Sequence, residues 1–200
     1  MSGDVKVLGL VGSLRRGSVN LQLLDAVRVG PPNGLVIDRF DRLKDIPPFD
    51  EDDEDAVPNA VDELRARIRG APAVLIATPE YNGSIPGQLK NAIDWASRPF
   101  ATSALRGKHV AVIGASPSPG GARTAIADAR RILSRAGASV IDETASFPRV
   151  FTHLDRAGNL DAAQVSARIA PVIAAVLAGI RPAVDERRDN DRLTTAGRLS

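Results

Sequence analysis

The stretch Gly12-Ser13-Leu14-Arg15-Arg16-Gly17-Ser18-Val19-Asn20 gathers residue types that hold an anion. It follows the apolar run Val5 to Val11 and leads into Leu21, Leu23, Leu24 and Val27 at helical spacing, so it reads as a strand-to-helix turn. Backbone N–H groups at a helix N-terminus lack intrahelical partners, and the helix dipole adds partial positive charge there. Ser13, Ser18 and Asn20 add neutral donors, Arg15 or Arg16 adds a cation, and glycines at 12 and 17 let the backbone approach a ligand. This chemistry suits a terminal phosphate monoester bound without metal. Gly12 and Gly17 have P-loop spacing, but Ser18 and Val19 stand where Lys and then Ser or Thr would reach terminal phosphates and magnesium. No G-x-G-x-x-G is present, and no acidic residue about twenty positions later ends a second strand to meet a ribose. The competing reading is an ordinary polar turn with Ser18 as a helix cap.

A second stretch, Pro79-Glu80-Tyr81-Asn82-Gly83-Ser84, follows the buried-strand candidate Ala73 to Ala77 and precedes a helix carrying Leu89, Ala92, Ile93 and Trp95. Turns at strand ends are where open parallel sheets bind ligands. Tyr81 suits contact with a planar ring, and neighbouring N–H groups suit the ring's edge heteroatoms. The plainer reading makes Asn82-Gly83 a simple turn. Trp95 reads as a core residue or as part of a subunit interface.

These loops need a framework, and the chain alternates strand and helix throughout. Strands are expected at Val5 to Val11, Leu35 to Arg39, Ala73 to Ala77, His109 to Gly114 and Ser139 to Ile141. Helices are expected at Ser18 to Val29, Val57 to Ile68, Gly87 to Ser97, Ala122 to Ala136 and Asp161 to Leu177. Short, mostly apolar strands fit an α/β sheet covered on both faces. Residues 1–182 form one domain in this reading, with a kink or early helix end at Pro171. The polar segment 183–200 reads as a mobile tail or a packing arm, with the tail favoured.

The loop GSLRRGSVN together with PEYNGSIPGQLKNAIDWASRP resembles the NADPH-dependent FMN reductase family of flavodoxin-like proteins, which includes quinone, azo-dye and chromate reductases. The resemblance runs from Val5 to Leu177 and takes in Ile46-Pro47-Pro48-Phe49-Asp50 and the loop at Gly114-Ala115-Ser116. It implies a flavodoxin-like, doubly wound, five-stranded parallel sheet of order 2-1-3-4-5 with a tightly held FMN. Hydride would pass from NADPH or NADH, by a ping-pong mechanism, to a quinone, free flavin, azo dye or similar small-molecule acceptor. A homodimer or homotetramer with the flavin near a subunit interface is also implied, and the helix Gly87 to Ser97 is expected at or beside it.

Carried over by position, the resemblance assigns Ser13, Arg15, Ser18, Val19 and Asn20 to the FMN phosphate. Pro79, Glu80, Tyr81, Asn82 and Gly83 would surround the ribityl chain and isoalloxazine, and Ser116, Gly120 and Gly121 would close the other side. The flavin carries the chemistry, so no catalytic side chain is expected, and Glu80 has a positioning role. The prolines in Ser116-Pro117-Ser118-Pro119-Gly120-Gly121 make the third loop stiff. The alternative from another class is a one-electron flavodoxin-type carrier. Such carriers are strongly acidic, whereas this chain has a formal charge of +2, which leans towards a reductase.

Composition narrows the setting. The chain's 200 residues, 44% hydrophobic, suffice for one layered core, and the lack of cysteine excludes disulfides and thiolate metal sites. Arginines are dispersed among acids without interleaved aromatics, so nucleic acid is not an expected partner. The acidic run Asp50 to Asp55 reads as a solvated segment ahead of a helix, and His109 and His153 have no ligand-spaced companions, so no metal site is expected. The first strand begins too early for a signal peptide, and Val172 to Ile180 is too short to span a bilayer. The expectation is a cytoplasmic protein with no membrane partner.

Overall fold

The computed structural model describes residues 5–29 and 35–196. Strands β1 (Val5–Val11), β2 (Leu35–Arg39), β3 (Ala73–Thr78) and β4 (His109–Ala115) alternate with helices α1 (Val19–Val29), α2 (Asn59–Gly70), α3 (Gly87–Ala96) and α4 (Arg123–Arg135). Two short strands, β5 (Ser139–Val140) and β6 (Ala145–Phe147), precede the long helix α5 (Ala162–Ala196). All pairings are parallel, in the order β2-β1-β3-β4-β5, with β6 also pairing β4. The expected 2-1-3-4-5 order is therefore present. The fifth position is shared, however: Ser139 and Val140 pair with His109 and Val110, while Ala145 to Phe147 pair with Ile113 to Ala115. Three residues after the polar Asp142-Glu143-Thr144 carry no readable periodicity, which is why β6 escapes the sequence pattern.

Side chains alternate between two apolar layers, as strand geometry requires. Leu8, Leu10, Val74, Ile76, Val110 and Val112 join the layer with Leu64, Leu89 and Leu133 of α2, α3 and α4. Val7, Leu75, Ala77, Ala111 and Ile113 join the opposite layer with Leu23 of α1 and Ile169 and Val176 of α5. Burial on both faces explains the unbroken apolar runs in these strands.

Helix α5 does not end early at Pro171: it passes through that residue and runs to Ala196. Ala167 and Pro171 are both exposed, so the carbonyl left without a donor by the proline opens to water. The segment Ala162–Ile180 is also long enough to cross a membrane, with mean hydropathy 1.7. Its apolar stripe is used differently: Val165, Ile169, Val172, Ile173, Val176 and Ile180 are all buried in the layer with the sheet.

Because the strands are parallel, the segments that leave β1, β3 and β4 emerge at one edge of the sheet. Those are the three loops singled out in the sequence.

Candidate functional site

Ser18 sits at the N-cap of α1. Its carbonyl accepts the N–H groups of Leu21 and Gln22 at 3.0 and 3.3 Å, and its Oγ accepts the N–H of Asn20 at 3.2 Å. The capping and anion-binding readings coexist, because the hydroxyl proton remains available to donate. Within the loop the Ser18 N–H bonds the Arg15 carbonyl at 3.1 Å, and the Arg15 guanidinium bonds the Gly17 carbonyl at 3.0 Å. The N–H groups of Ser13, Arg16, Gly17 and Val19 find no acceptor among the described residues. Arg15 and Arg16 are exposed and pair with no carboxylate there.

Gly12 joins this loop to the next one. Its N–H donates to the Ala77 carbonyl at 2.8 Å, and a Cβ added to it would meet Leu89 Cδ2 at 3.0 Å and Thr78 Oγ1 at 3.1 Å.

After β3, Tyr81 and Ser84 exchange backbone hydrogen bonds of 3.0 and 3.1 Å around Asn82 at φ 51° and Gly83 at φ 78°. Positive φ at both central residues defines a type I′ turn, which Asn-Gly accommodates best. The turn leaves the N–H groups of Asn82 and Gly83 without partners among the described residues and Tyr81 52% exposed. Pro79 is buried at its base. Glu80 turns away: its Oε2 accepts the N–H groups of Thr124 and Ala125 at 3.1 and 3.3 Å, capping α4 from a different loop. Ser84 donates to Asp128 on the same helix, and Arg131 donates to the other oxygen of that carboxylate at 2.6 Å. The Ser84 hydroxyl and then Arg131 hold the Asp128 carboxyl below the usual carboxylate range. Two anchors thus fix the Tyr81 turn to α4.

The third loop is closed on itself. Ser116 is buried, with its N–H on the Phe147 carbonyl at 3.2 Å and its carbonyl accepting from Val150 at 3.2 Å. Its Oγ accepts the Ser118 N–H at 3.2 Å, and the Ser118 carbonyl accepts from Gly121 and Arg149 at 3.2 and 3.0 Å. Pro117 and Pro119 carry no N–H. Ser116 and Gly120 lie in this loop after β4, where the N–H groups of Gly120 and Ala122 have no partner among the described residues.

Asn20, expected at a phosphate, has both amide atoms engaged by β4. Its Oδ1 accepts the Ala115 N–H at 2.9 Å and its Nδ2 donates to the Ala115 carbonyl at 3.1 Å. It ties the start of α1 to the strand that feeds the third loop. Trp95 resolves to the core reading rather than an interface: it is wholly buried, donates Nε1 to the Pro47 carbonyl at 2.9 Å and meets Phe49 edge-on at 4.9 Å.

Sequence reasoning missed the strap that covers Trp95. Gln88 donates to the carbonyls of Leu43 and Ile46, both at 2.8 Å, and Asn91 bonds Pro47 and Phe49, both at 2.7 Å. The acidic run follows it: Asp50 accepts the Asp52 N–H, and Glu51 and Glu54 pair with Arg98 at 2.8 and 3.5 Å. The only signal for this strap in the sequence was the resemblance of Ile46 to Asp50 to a known family.

Comparison with known proteins agrees with this geometry. Residues 5–152 match the family model described as NADPH-dependent FMN reductase. An NAD(P)H-dependent FMN reductase of Pseudomonas aeruginosa is 50% identical over 118 residues, covering 58% of this chain and 62% of that protein. A 2-hydroxy-1,4-benzoquinone reductase of a Burkholderia species is 42% identical over 112 residues, or 56% of this chain and 61% of that protein. These matches span less than two thirds of each relative's length. The solved structure of FerB, a flavoenzyme NAD(P)H:(acceptor) oxidoreductase from Paracoccus denitrificans, superposes with a TM-score of 0.75 at 30% identity, covering 89% of this chain and 98% of that one. With its sheet order, its two loop motifs and a family match across most of its length, the chain belongs to the NADPH-dependent FMN reductase family.

Proposed function

We propose that this chain is an FMN-dependent oxidoreductase that takes hydride from NADPH or NADH and passes it, by a ping-pong mechanism, to a small acceptor such as a quinone, free flavin or azo dye. The observation that carries the reading is the convergence of unpartnered donors at one sheet edge: Ser13, Arg16, Gly17 and Val19 after β1, and Asn82 and Gly83 after β3. The donor set fits FMN. A phosphate dianion needs several N–H groups and a cation, which the first loop offers together with the Ser18 hydroxyl and Arg15. A neutral planar ring needs edge donors and a flat neighbour, which Asn82, Gly83 and half-exposed Tyr81 offer.

When bound, FMN supplies the two-electron chemistry. The residues of the chain bind and position it. Ser13, Arg15, Ser18 and Val19 would hold the phosphate, while the Asn82 and Gly83 N–H groups would donate to the ring edge. Pro79 forms the buried base of that turn, and Glu80 keeps it in place through α4. No side chain needs to move a proton. Relatives named as FMN and quinone reductases support this class of reaction. We also propose a homodimer or homotetramer, for which exposed Tyr81 offers apolar surface near the site.

Absorbance of the purified protein tests the reading. One equivalent of FMN is expected to bind, NADPH without oxygen to bleach it, and a quinone to restore the colour. A protein that takes up no FMN overturns the proposal. Bound FMN that dithionite reduces but NADPH and NADH do not would assign the chain to electron carriage instead.

A further inference from the structure

Beside the first loop, on the side away from the Tyr81 turn, lies a second cleft of about 260 Å³ between the ends of β1 and β2. Four cations line it, Arg15, Arg16, Arg39 and Lys44, against a single lining carboxylate, Asp41. Arg39 is already committed to Asp41 and Asp25, and Arg15 to the Gly17 carbonyl. Arg16 and Lys44 are exposed and have no carboxylate partner among the described residues. The floor between them is apolar, formed by Val11, Leu21 and half-exposed Leu14.

The cleft is built rather than incidental. Lys44 stands on the short 3-10 turn Leu43–Asp45, whose flanks are pinned because Gln88 of α3 holds the carbonyls of Leu43 and Ile46. The Phe40 N–H bonds the Gly9 carbonyl at 3.0 Å, which fixes the exit from β2 against β1. Arg42 next to Lys44 is bound to Asp45 and Glu63, so it does not compete for a ligand in the cleft.

We infer that this cleft binds the 2′-phosphorylated adenosine end of NADPH, with Lys44 and Arg16 as the residues that distinguish it from NADH. The inference rests on the proposed function, which brings a nicotinamide dinucleotide to this sheet edge. An apolar floor with unpaired cations on its rim matches a base joined to a phosphorylated ribose. A free 2′-hydroxyl pairs well with a carboxylate, whereas a 2′-phosphate needs cations that are not already neutralised. In this cleft Asp41 is taken up by Arg39, while Lys44 and Arg16 have no carboxylate partner among the described residues.

The test is calorimetric titration of the FMN-loaded protein with adenosine 2′,5′-bisphosphate and with adenosine 5′-monophosphate. The bisphosphate is expected to bind at least roughly tenfold more tightly, the difference made by a charge-assisted contact to one phosphate. Lys44→Glu is expected to bring the two affinities together and to raise KM for NADPH but not for NADH, with FMN content unchanged. Lys44→Ala gives the same direction with smaller size if the charge reversal impairs folding. Equal binding of both nucleotides by the unaltered protein overturns the inference, as does a preference that survives in the folded Lys44 variants. Displacement of FMN by the bisphosphate overturns it too, since the cleft would then belong to the flavin phosphate. A protein that takes up FMN and is reduced by NADH yet shows no 2′-phosphate preference fails this inference alone, whereas one that takes up no FMN fails the functional reading.

Discussion

Asn20 and Ala115, 95 residues apart, exchange two hydrogen bonds: the Asn20 amide accepts from the Ala115 N–H at 2.9 Å and donates to its carbonyl at 3.1 Å. The side chain acts as an added strand residue beside the last residue of β4, so the start of α1 and the root of the third loop are fixed to each other. Asn20→Ala leaves a buried N–H and a buried carbonyl unpaired, which costs about 2–4 kcal/mol. The corresponding fall in Tm is roughly 5–15 °C for a chain of this size. Asn20→Asp keeps the acceptor but sets a carboxylate against the Ala115 carbonyl. Protonation restores the donor, so this variant is expected to regain stability as pH falls towards about 4. Thermal unfolding of both variants across pH checks the pair, and an Asn20→Ala protein with unchanged Tm contradicts it.

The first loop predicts a preference for FMN over riboflavin. Losing the phosphate forfeits several charge-assisted hydrogen bonds of about 1.5–3 kcal/mol each, so riboflavin is expected to bind at least roughly a hundredfold more weakly. Ser18→Ala removes a helix cap and, in the proposed site, a phosphate donor. It is expected to weaken FMN binding about tenfold and riboflavin binding less. Equal losses for the two ligands, read by fluorescence titration, would assign Ser18 to capping alone.

How much of this was legible in the sequence depended on distance along the chain. Apolar runs and helical spacing encode the four long strands and five helices, because each element's burial is written in its own residues. The loops after β1 and β3 were legible for the same reason. The cross-chain anchors were not: Glu80 caps a helix 44 residues away, and Gln88 and Asn91 hold backbone carbonyls of the segment at Leu43 to Pro47. A side chain paired with a distant backbone group leaves no periodic trace. The sequence left Trp95 between a core position and a subunit interface, because Lys90, Asn91 and Asp94 flank it, yet Asn91 itself binds the strap that buries it.

Asp128 gives the site a dependence on acid. Its carboxyl is held below the usual range, first by Ser84 and then by Arg131. A carboxylate with a depressed folded pKa contributes stability that is present above its unfolded value, near ~4, and lost as pH falls through the folded value. Asp128→Asn is expected to lower Tm by about 1–3 °C at neutral pH, a small change because the Arg131 end of the pair is solvated. The gap should close as pH falls below the ordinary carboxylate range. A gap of constant size from neutral to strongly acid pH contradicts the assignment.

Arg65 is buried at 4% exposure under Trp95, with Nε on the Trp95 carbonyl at 3.0 Å and Nη2 without a partner among the described residues. Burial, followed by the charge of Arg69, pulls its pKa below the ordinary arginine value. The Trp95 carbonyl also accepts the Arg98 N–H at 3.3 Å, so it stays paired when the guanidinium is removed. Arg65→Met, which keeps the aliphatic volume and removes a buried charge, is expected to leave Tm unchanged or higher. Arg65→Ala is expected to lose about 2 kcal/mol through packing. A large drop for Arg65→Met in thermal unfolding would show that the charge itself stabilises the core.

The turn at Asn82 separates ring contacts from phosphate anchoring. Asn82 has φ 51° and Gly83 has φ 78°, and the Asn82 N–H is unpartnered among the described residues. Proline is locked near φ −65° and carries no N–H, so Asn82→Pro breaks the type I′ geometry and removes the donor together. Asn82→Gly keeps both. The phosphate loop lies after a different strand, so Asn82→Pro is expected to retain FMN while slowing anaerobic bleaching by NADPH roughly tenfold to a hundredfold, the scale of one preorganised donor at a reacting centre. Asn82→Gly should stay within about threefold of the unaltered protein, because the turn's backbone conformation and its N–H both survive. Stopped-flow absorbance at saturating NADPH measures the rates, and FMN titration measures retention. If Asn82→Pro bleaches as fast as Asn82→Gly, the backbone of this turn does not serve the ring, and the contact must come from Tyr81 or the third loop.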